Sequence, residues 1–309
     1  MKSSHERRTA LRSVLTGDAC IHPASVHDPI SARIAAEIGF EAGMLAGSVA
    51  SLSVLGAPDF ILLTLSEFAE TARRIGRGCD LPLICDADHG YGNALNVMRT
   101  VEELEMAGVA GLTIEDTILP RPFGVERIEL VSMAEGVAKM KAAVAARIDP
   151  SLCIFARTSA LGPGGMEVAL ERLRAYQQTG VDGVFITGVK TRADVQTFAK
   201  AAQLPLLLGG APKEILDRVF LSAHKVRVAL QGHQPFAAAV AAISSAMRAL
   251  RDGSELPQIA SSETMDRLTE SAKWAAAVNT YLERVDIHRV QICALTIDSM
   301  DMNALGVCS

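Results

Sequence analysis

No lysine- or arginine-rich run interrupts the 309 residues, aromatic residues make up 4% of them, and none interleave with basic ones; the formal net charge is −5. A nucleic-acid-binding protein normally presents a basic face, so that class is disfavoured. No apolar run reaches the ~18 residues that a membrane span needs. The opening stretch MKSSHERRTALRSVL is charged and no apolar h-region follows it, so a secretory leader is not expected. The six cysteines, at 20, 79, 85, 153, 293 and 308, include no CxxC pair and have no histidine nearby at zinc spacing. They read as reduced thiols of a cytoplasmic protein, several of them in strands.

What is present is apolar and periodic. Apolar residues make up 49% of the chain and charged ones 21%, enough to build the sizeable core of one large α/β domain. Eight short apolar runs recur: CIHPAS (20–25), AGMLAGS (42–48), LPLICDAD (81–88), GLTIEDT (111–117), CIFARTS (153–159), GVFITGV (183–189), LPLLLGG (204–210) and VRVALQG (226–232). Between them lie stretches with helical spacing, such as ALNVMRTVEELEMAG and EVALERLRAYQQTG, each closed by a glycine expected at C′. Apolar strands alternating with amphipathic helices predict a parallel sheet covered on both faces, and eight units predict a (β/α)8 TIM-type barrel. The alternative is an open doubly wound sheet, whose dinucleotide-binding form is disfavoured because no GxGxxG follows the first strand. The barrel is expected over residues 1–250. Residues 251–309 follow as a polar linker to about 264, a helix near 264–284 holding the only tryptophan, Trp274, and an unassigned tail from 285.

In a barrel of this type the C-terminal ends of the strands converge on one mouth, which is the active site. Reading those ends in order gives Ser48, Asp86 with Asp88, Glu115 with Asp116, Arg157, and His233 just past the last strand. Each has a plainer explanation alone: Ser48 or Asp116 as a helix N-cap, Arg157 as the partner of a carboxylate, His233 as a satisfied loop histidine. Together at one mouth they point to chemistry. Carboxylates without cysteine or histidine neighbours suit hard cations, and Mg²⁺ keeps several waters while taking one or two carboxylates. Asp86 is the expected direct ligand, with Asp88, Glu115 and Asp59 (in GAPDF) acting through water. Arg157 offers a planar fork to a substrate carboxylate. A small, oxygen-rich 2-keto acid fits such a pocket.

The blocks DADHGYGN (86–93), IED (114–116) and ARTSA (156–160), with ASVHDPISARIAAEIGFEAGMLAGS (24–48), resemble the phosphoenolpyruvate mutase/isocitrate lyase superfamily. The similarity runs in order from about residue 10 to about residue 285. It implies a (β/α)8 barrel whose last helix packs on a neighbouring subunit, Mg²⁺ dependence with Mn²⁺ as a substitute, and dimers or tetramers. Within the superfamily, C–C lyases carry a KKCGH-like loop after IED, whose cysteine transfers protons, and the phosphonate mutases place a lysine and an asparagine-rich gate there. Here the segment reads TILPRPFGVER (117–127), with neither cysteine nor lysine. Together with VALQGHQPFAAA (228–239) it resembles the oxaloacetate decarboxylase branch.

That resemblance implies decarboxylation of oxaloacetate, or a close 2-keto dicarboxylate, to pyruvate and CO2 through a metal-stabilised enolate. It makes Ser48, Arg157 and His233 substrate-binding, with Arg157 and His233 catalytic. Two positions depart from the branch. LLLGGAPKEI (206–215) lacks the tyrosine expected after strand seven, and Ser159 stands where an acid or asparagine is common. Both imply a more open substrate side. Two other functions are carried forward: a C–C lyase acting on a substituted malate or citrate, and a non-catalytic keto-acid-binding homologue.

Overall fold

Each of the eight apolar runs contains a strand. The computed structural model describes residues 2–282; the tail from 285, with Cys293 and Cys308, lies outside the described residues. The strands are Ala24–Ser25 (β1), Gly43–Leu45 (β2), Leu83–Asp86 (β3), Gly111–Glu115 (β4), Cys153–Thr158 (β5), Gly183–Thr187 (β6), Leu206–Gly209 (β7) and Val226–Ala229 (β8). They form one sheet in sequence order, each parallel to the next. A parallel bridge between Ile21 and Val228 joins the first segment to the last, with the Ile21 amide donating to Arg227 at 2.9 Å and the Ala229 amide to Ile21 at 3.0 Å. This is the (β/α)8 barrel, and it replaces the open sheet as a reading of the pattern.

Several strands are shorter than their apolar runs, for identifiable reasons. Pro23 has no N–H to give the ladder, so β1 begins only at Ala24. β2 stops at Leu45 because Gly47–Leu55 is already a helix. The helix Ala94–Met106 ends as the sequence predicts: Gly108, at φ 83°, donates to Glu105, and Val109 donates to Leu104, a Schellman closure. The helix Leu161–Tyr176 does not. Its glycine, Gly180, lies beyond three residues of turn rather than at C′.

Side chains alternate across each strand, so every second residue faces the barrel axis. Toward the N-terminal end, Met44, Ile84, Phe155, Phe185, Leu207 and Val228 form one buried cluster with Leu11 and Leu15. Those two leucines come from the first helix, Ser4–Thr16, which therefore plugs the barrel floor. A capping box between Ser3 and Glu6 starts that helix. Ion pairs hold it in place: Arg8 reaches Asp149 at 2.8 Å and Arg12 reaches Asp182 at 3.0 Å. With the floor packed by apolar groups, the polar residues are left to the opposite end.

The described residues fall into two compact units, divided between Val240 and Ala241. In the second, the expected single helix over 264–284 is two helices, Ser262–Thr269 and Ser271–Tyr281, separated by Glu270 at φ 56°. No glycine or proline marks that break in the sequence.

Candidate active site

Asp86 ends β3, and both of its oxygens are engaged. Thr113, paired beside it on β4, donates its hydroxyl to Oδ1 at 3.0 Å, and Arg157 Nη1 donates to Oδ2 at 2.5 Å. Arg157 lies on β5 opposite Glu115 of β4, and its Nε sits 3.2 Å from Glu115 Oε2 as an ion pair without hydrogen-bond alignment. One guanidinium thus bridges the carboxylates of two other strands. The guanidinium carbon lies over the ring of Phe185 on β6, 5.6 Å from its centroid. Burial works against the Arg157 charge, but Asp86 and Glu115 outweigh it and raise its pKa further.

Asp88 follows in a tightly coiled turn. It adopts φ 46°, and its carbonyl accepts the Glu115 amide at 2.8 Å, which ties the turn to the end of β4. Its carboxylate lies against the start of the helix Gly47–Leu55: a Cβ placed on Gly47 would sit 2.8 Å from Asp88 Oδ1. Glycine is required there for close approach rather than for its backbone angle. Burial, then the charges of Asp86, Asp59 and Glu115, push the Asp88 carboxyl well above its ordinary range. Glu115 is 5% exposed and is also raised, first by burial. Asp59, exposed on the loop after that helix, is raised by burial of its carboxyl and then by Asp86. Tyr91 points a buried hydroxyl without a hydrogen-bond partner into the same neighbourhood, its pKa raised by burial and then by Asp88 and Asp86.

Four carboxylates therefore act on one another with one guanidinium, Arg157, recurring as the opposing charge. That surplus of negative charge is what a bound divalent cation would relieve. Among the described residues no three His, Cys, Asp or Glu side chains converge as a complete cage. The donor set fits an oxygen-seeking cation that keeps most of its waters and takes one or two carboxylates.

His233 lies just past β8, half-buried, with Nδ1 2.9 Å from the Ser25 hydroxyl at the end of β1. Burial lowers its pKa, against a smaller upward pull from Asp86. Ser48 is the second residue of the helix Gly47–Leu55, not the end of a strand. It is half-buried, and its hydroxyl makes no hydrogen bond among the described residues.

Of the residues read from the sequence, Asp86, Asp88, Glu115, Asp59 and Arg157 form one electrostatic cluster, and His233 feels the charge of Asp86. Asp116 stands apart from it in geometry, although its charge reaches Glu115. As the neighbour of Glu115 it faces the other side of β4, where it is fully buried against Arg172 Nη1 at 2.9 Å and the Tyr176 hydroxyl at 2.8 Å. It is no helix cap either, since the following helix, Met133–Ala146, is capped by Ser132. Sequence reasoning missed Ser25, Thr113 and Tyr91. Thr113 was within reach, two residues before Glu115 and so on the same face.

Residues 11–251 match the family model described as phosphoenolpyruvate phosphomutase. The chain belongs to the phosphoenolpyruvate mutase family. It is 54% identical over 269 residues, 86% of this chain and 93% of the relative, to a protein of Rhodopseudomonas palustris (strain BisB5) named oxaloacetate decarboxylase. It is 52% identical over 273 residues, 87% of this chain and 95% of the relative, to one of the same name from Bradyrhizobium diazoefficiens. Among solved members of this superfamily, oxaloacetate acetylhydrolase in complex with the inhibitor 3,3-difluorooxalacetate superposes with a TM-score of 0.82 at 30% identity, covering 92% of this chain and all of that one. Phosphonopyruvate hydrolase in complex with oxalate and Mg²⁺ superposes with a TM-score of 0.79 at 30% identity, covering 90% and 99%. This family member is a carbon–carbon lyase on its homology.

Proposed function

We propose that this chain decarboxylates oxaloacetate, or a close 2-keto dicarboxylate, to pyruvate and CO2 with the help of Mg²⁺ or Mn²⁺. The observation that carries the reading is an acid cluster bridged by Arg157, together with a hairpin over residues 117–130, closed by the antiparallel bridge between Thr117 and Leu130, that contains no cysteine, lysine or histidine. Such a site has electrostatics but no thiol or amine for covalent or proton-transfer chemistry in that hairpin. Its relatives at 50–54% identity carry the corresponding name.

In this reading Asp86 would hold the cation directly, and Asp88, Glu115 and Asp59 would hold it through water. When bound, the cation supplies a Lewis acid for the charge that develops on the keto oxygen as the carboxylate leaves. The chain's own residues do the rest. Ser48 and the free amides at the start of Gly47–Leu55 bind the 1-carboxylate, because a helix N-terminus presents unpaired N–H groups to an anion. Arg157 faces the enolate oxygen, its charge secured by Asp86 and Glu115. His233, held neutral by burial, contacts the 4-carboxylate, whose bond to C3 breaks. The electron pair of that bond becomes the enolate, and a proton taken at C3 completes pyruvate.

The same reading extends to the assembly and the compartment. The barrel at 1–250 is the catalytic part, and residues 251–309 supply a linker, a helical segment that docks on a neighbouring subunit, and the tail. A homo-oligomer, a dimer or a homotetramer, is supported by exposed apolar residues along the helix Gln234–Asp252, namely Val240, Ile243, Met247 and Leu250. No helix among the described residues is long and apolar enough to cross a membrane. A cytoplasmic location is supported by Cys20, Cys79, Cys85 and Cys153, which are buried free thiols.

Product analysis tests the chemistry. With ¹³C-labelled oxaloacetate and Mg²⁺, the expected products are pyruvate and CO2. Oxalate with acetate would replace this reading with hydrolytic C–C cleavage, and oxalate bound without turnover would replace it with a binding function.

A further inference from the structure

β1 is two residues long, and the second of them, Ser25, is 8% exposed. Its hydroxyl lies 2.9 Å from His233 Nδ1, across the seam where the first strand segment meets the last. Neither the Ser25 hydroxyl nor the His233 ring has another hydrogen bond among the described residues. A second contact comes from the same segment: the His27 ring packs edge-on against Phe236 at 5.1 Å between centroids and 87° between planes. Phe236 sits three residues beyond His233, in the first turn of the helix Gln234–Asp252. Residues 25–27 therefore grip both the imidazole and the turn that carries it.

Proton counting and burial together favour one direction for the hydrogen bond. A hydroxyl has one proton to give, and a neutral imidazole has one N–H and one acceptor nitrogen. If Nδ1–H donated to Ser25, the serine's own proton, on the more buried of the two groups, would have no protein acceptor among the described residues. If Ser25 donates to Nδ1, the buried hydroxyl is satisfied and the one proton without a protein partner is Nε2–H, on the less buried group. Burial favours the neutral ring, so that N–H is the only one the ring carries.

We infer that Ser25 is a positioning residue that fixes His233 as the Nε2–H tautomer, making the ring a hydrogen-bond donor, through Nε2, to a substrate carboxylate. The acceptor's identity rests on the proposed decarboxylation; the proton assignment does not. A donor at Nε2 steadies a carboxylate without changing charge. It is not set to take a proton from the substrate there.

The test pairs long-range ¹H–¹⁵N spectra of ¹⁵N-histidine-labelled protein with steady-state rates on oxaloacetate and Mg²⁺, for wild type, Ser25→Ala and Ser25→Thr. His233→Ala assigns the resonance, and oxalate serves as the probe ligand. Wild type should show an unprotonated Nδ1 and a protonated Nε2, the latter shifting when oxalate is added. In Ser25→Ala the two nitrogens should move toward averaged values. Its kcat should fall about three- to tenfold with little change in KM, as one lost neutral hydrogen bond predicts. Ser25→Thr, which keeps the hydroxyl, should restore both readouts. A protonated Nδ1 in wild type, or a Ser25→Ala spectrum matching wild type, overturns the inference. If wild type shows no turnover of oxaloacetate, the decarboxylase reading falls, and the spectra still decide the role of Ser25.

Discussion

Removing Arg172 should destabilise the barrel more than any surface change, because it strands a fully buried anion. Arg172 and Asp116 have side chains 7% and 0% exposed and pair at 2.9 Å. The same guanidinium donates to the Val131 carbonyl at 2.7 Å and to the Tyr176 hydroxyl at 3.0 Å. In Arg172→Met, Asp116 would keep only the Tyr176 hydroxyl at 2.8 Å, since its Oδ1 already lacks a partner. Breaking a buried pair from one side costs about 3–5 kcal/mol, whereas replacing both members by apolar groups is often neutral. Arg172→Met should therefore lose about 3–5 kcal/mol, Tyr176→Phe about 1.5–3 kcal/mol, and Arg172→Met/Asp116→Leu should recover most of the loss. Urea unfolding followed by circular dichroism at one fixed protein concentration measures all three. A loss under about 1 kcal/mol for Arg172→Met, or a double variant no better than the single one, would refute the argument. Asp116 also accepts the Val131 amide through its carbonyl at 2.9 Å, so the weakened variant should open the base of the 117–130 hairpin to hydrogen exchange.

Three further outcomes follow from the geometry. Leu11→Ala empties a fully buried position in the barrel floor and should cost about 2–5 kcal/mol in the same unfolding assay. Asp149 has a folded pKa below its ordinary 3.8: burial works to raise it, but hydrogen bonds from Ser151 and Arg8 prevail. Its contribution is thus present above that value and lost as pH falls through the folded one, so Asp149→Asn should flatten the stability decline below about pH 4 seen by acid titration. Gly47→Ala should leave unfolding nearly unchanged, since alanine suits a helix, yet lower kcat at least about tenfold by displacing Asp88; unchanged turnover would show that the close approach is immaterial.

The strands were legible because the barrel's parallel sheet demands near-continuous apolar runs, and its polar mouth because period-two alternation puts Asp86, Glu115 and Arg157 inward at strand ends. What failed to read failed for local reasons. Ser48 looked like a strand end because Ala46 caps the helix Gly47–Leu55 with no side-chain bond, leaving no capping signature in the sequence. Asp116 looked like a mouth residue because its partner Arg172 is 56 residues away and nothing local announces the pairing. Ser25 was hidden by Pro23, which cut its strand to two residues, and by a partner 208 residues away. The break at Glu270 depends on a single positive φ at a residue type that seldom adopts one.

That the carboxylates around Asp86 hold a divalent cation for decarboxylation is the proposal on which the other site roles depend. Its most direct test is the rate of pyruvate release from oxaloacetate with Mg²⁺, for wild type and Asp86→Ala, against metal-only and chelated controls. Wild type should clearly exceed the metal-only decay and lose that excess on chelation, and Asp86→Ala should fall to the background. Wild type at background, or Asp86→Ala as fast as wild type, would contradict it.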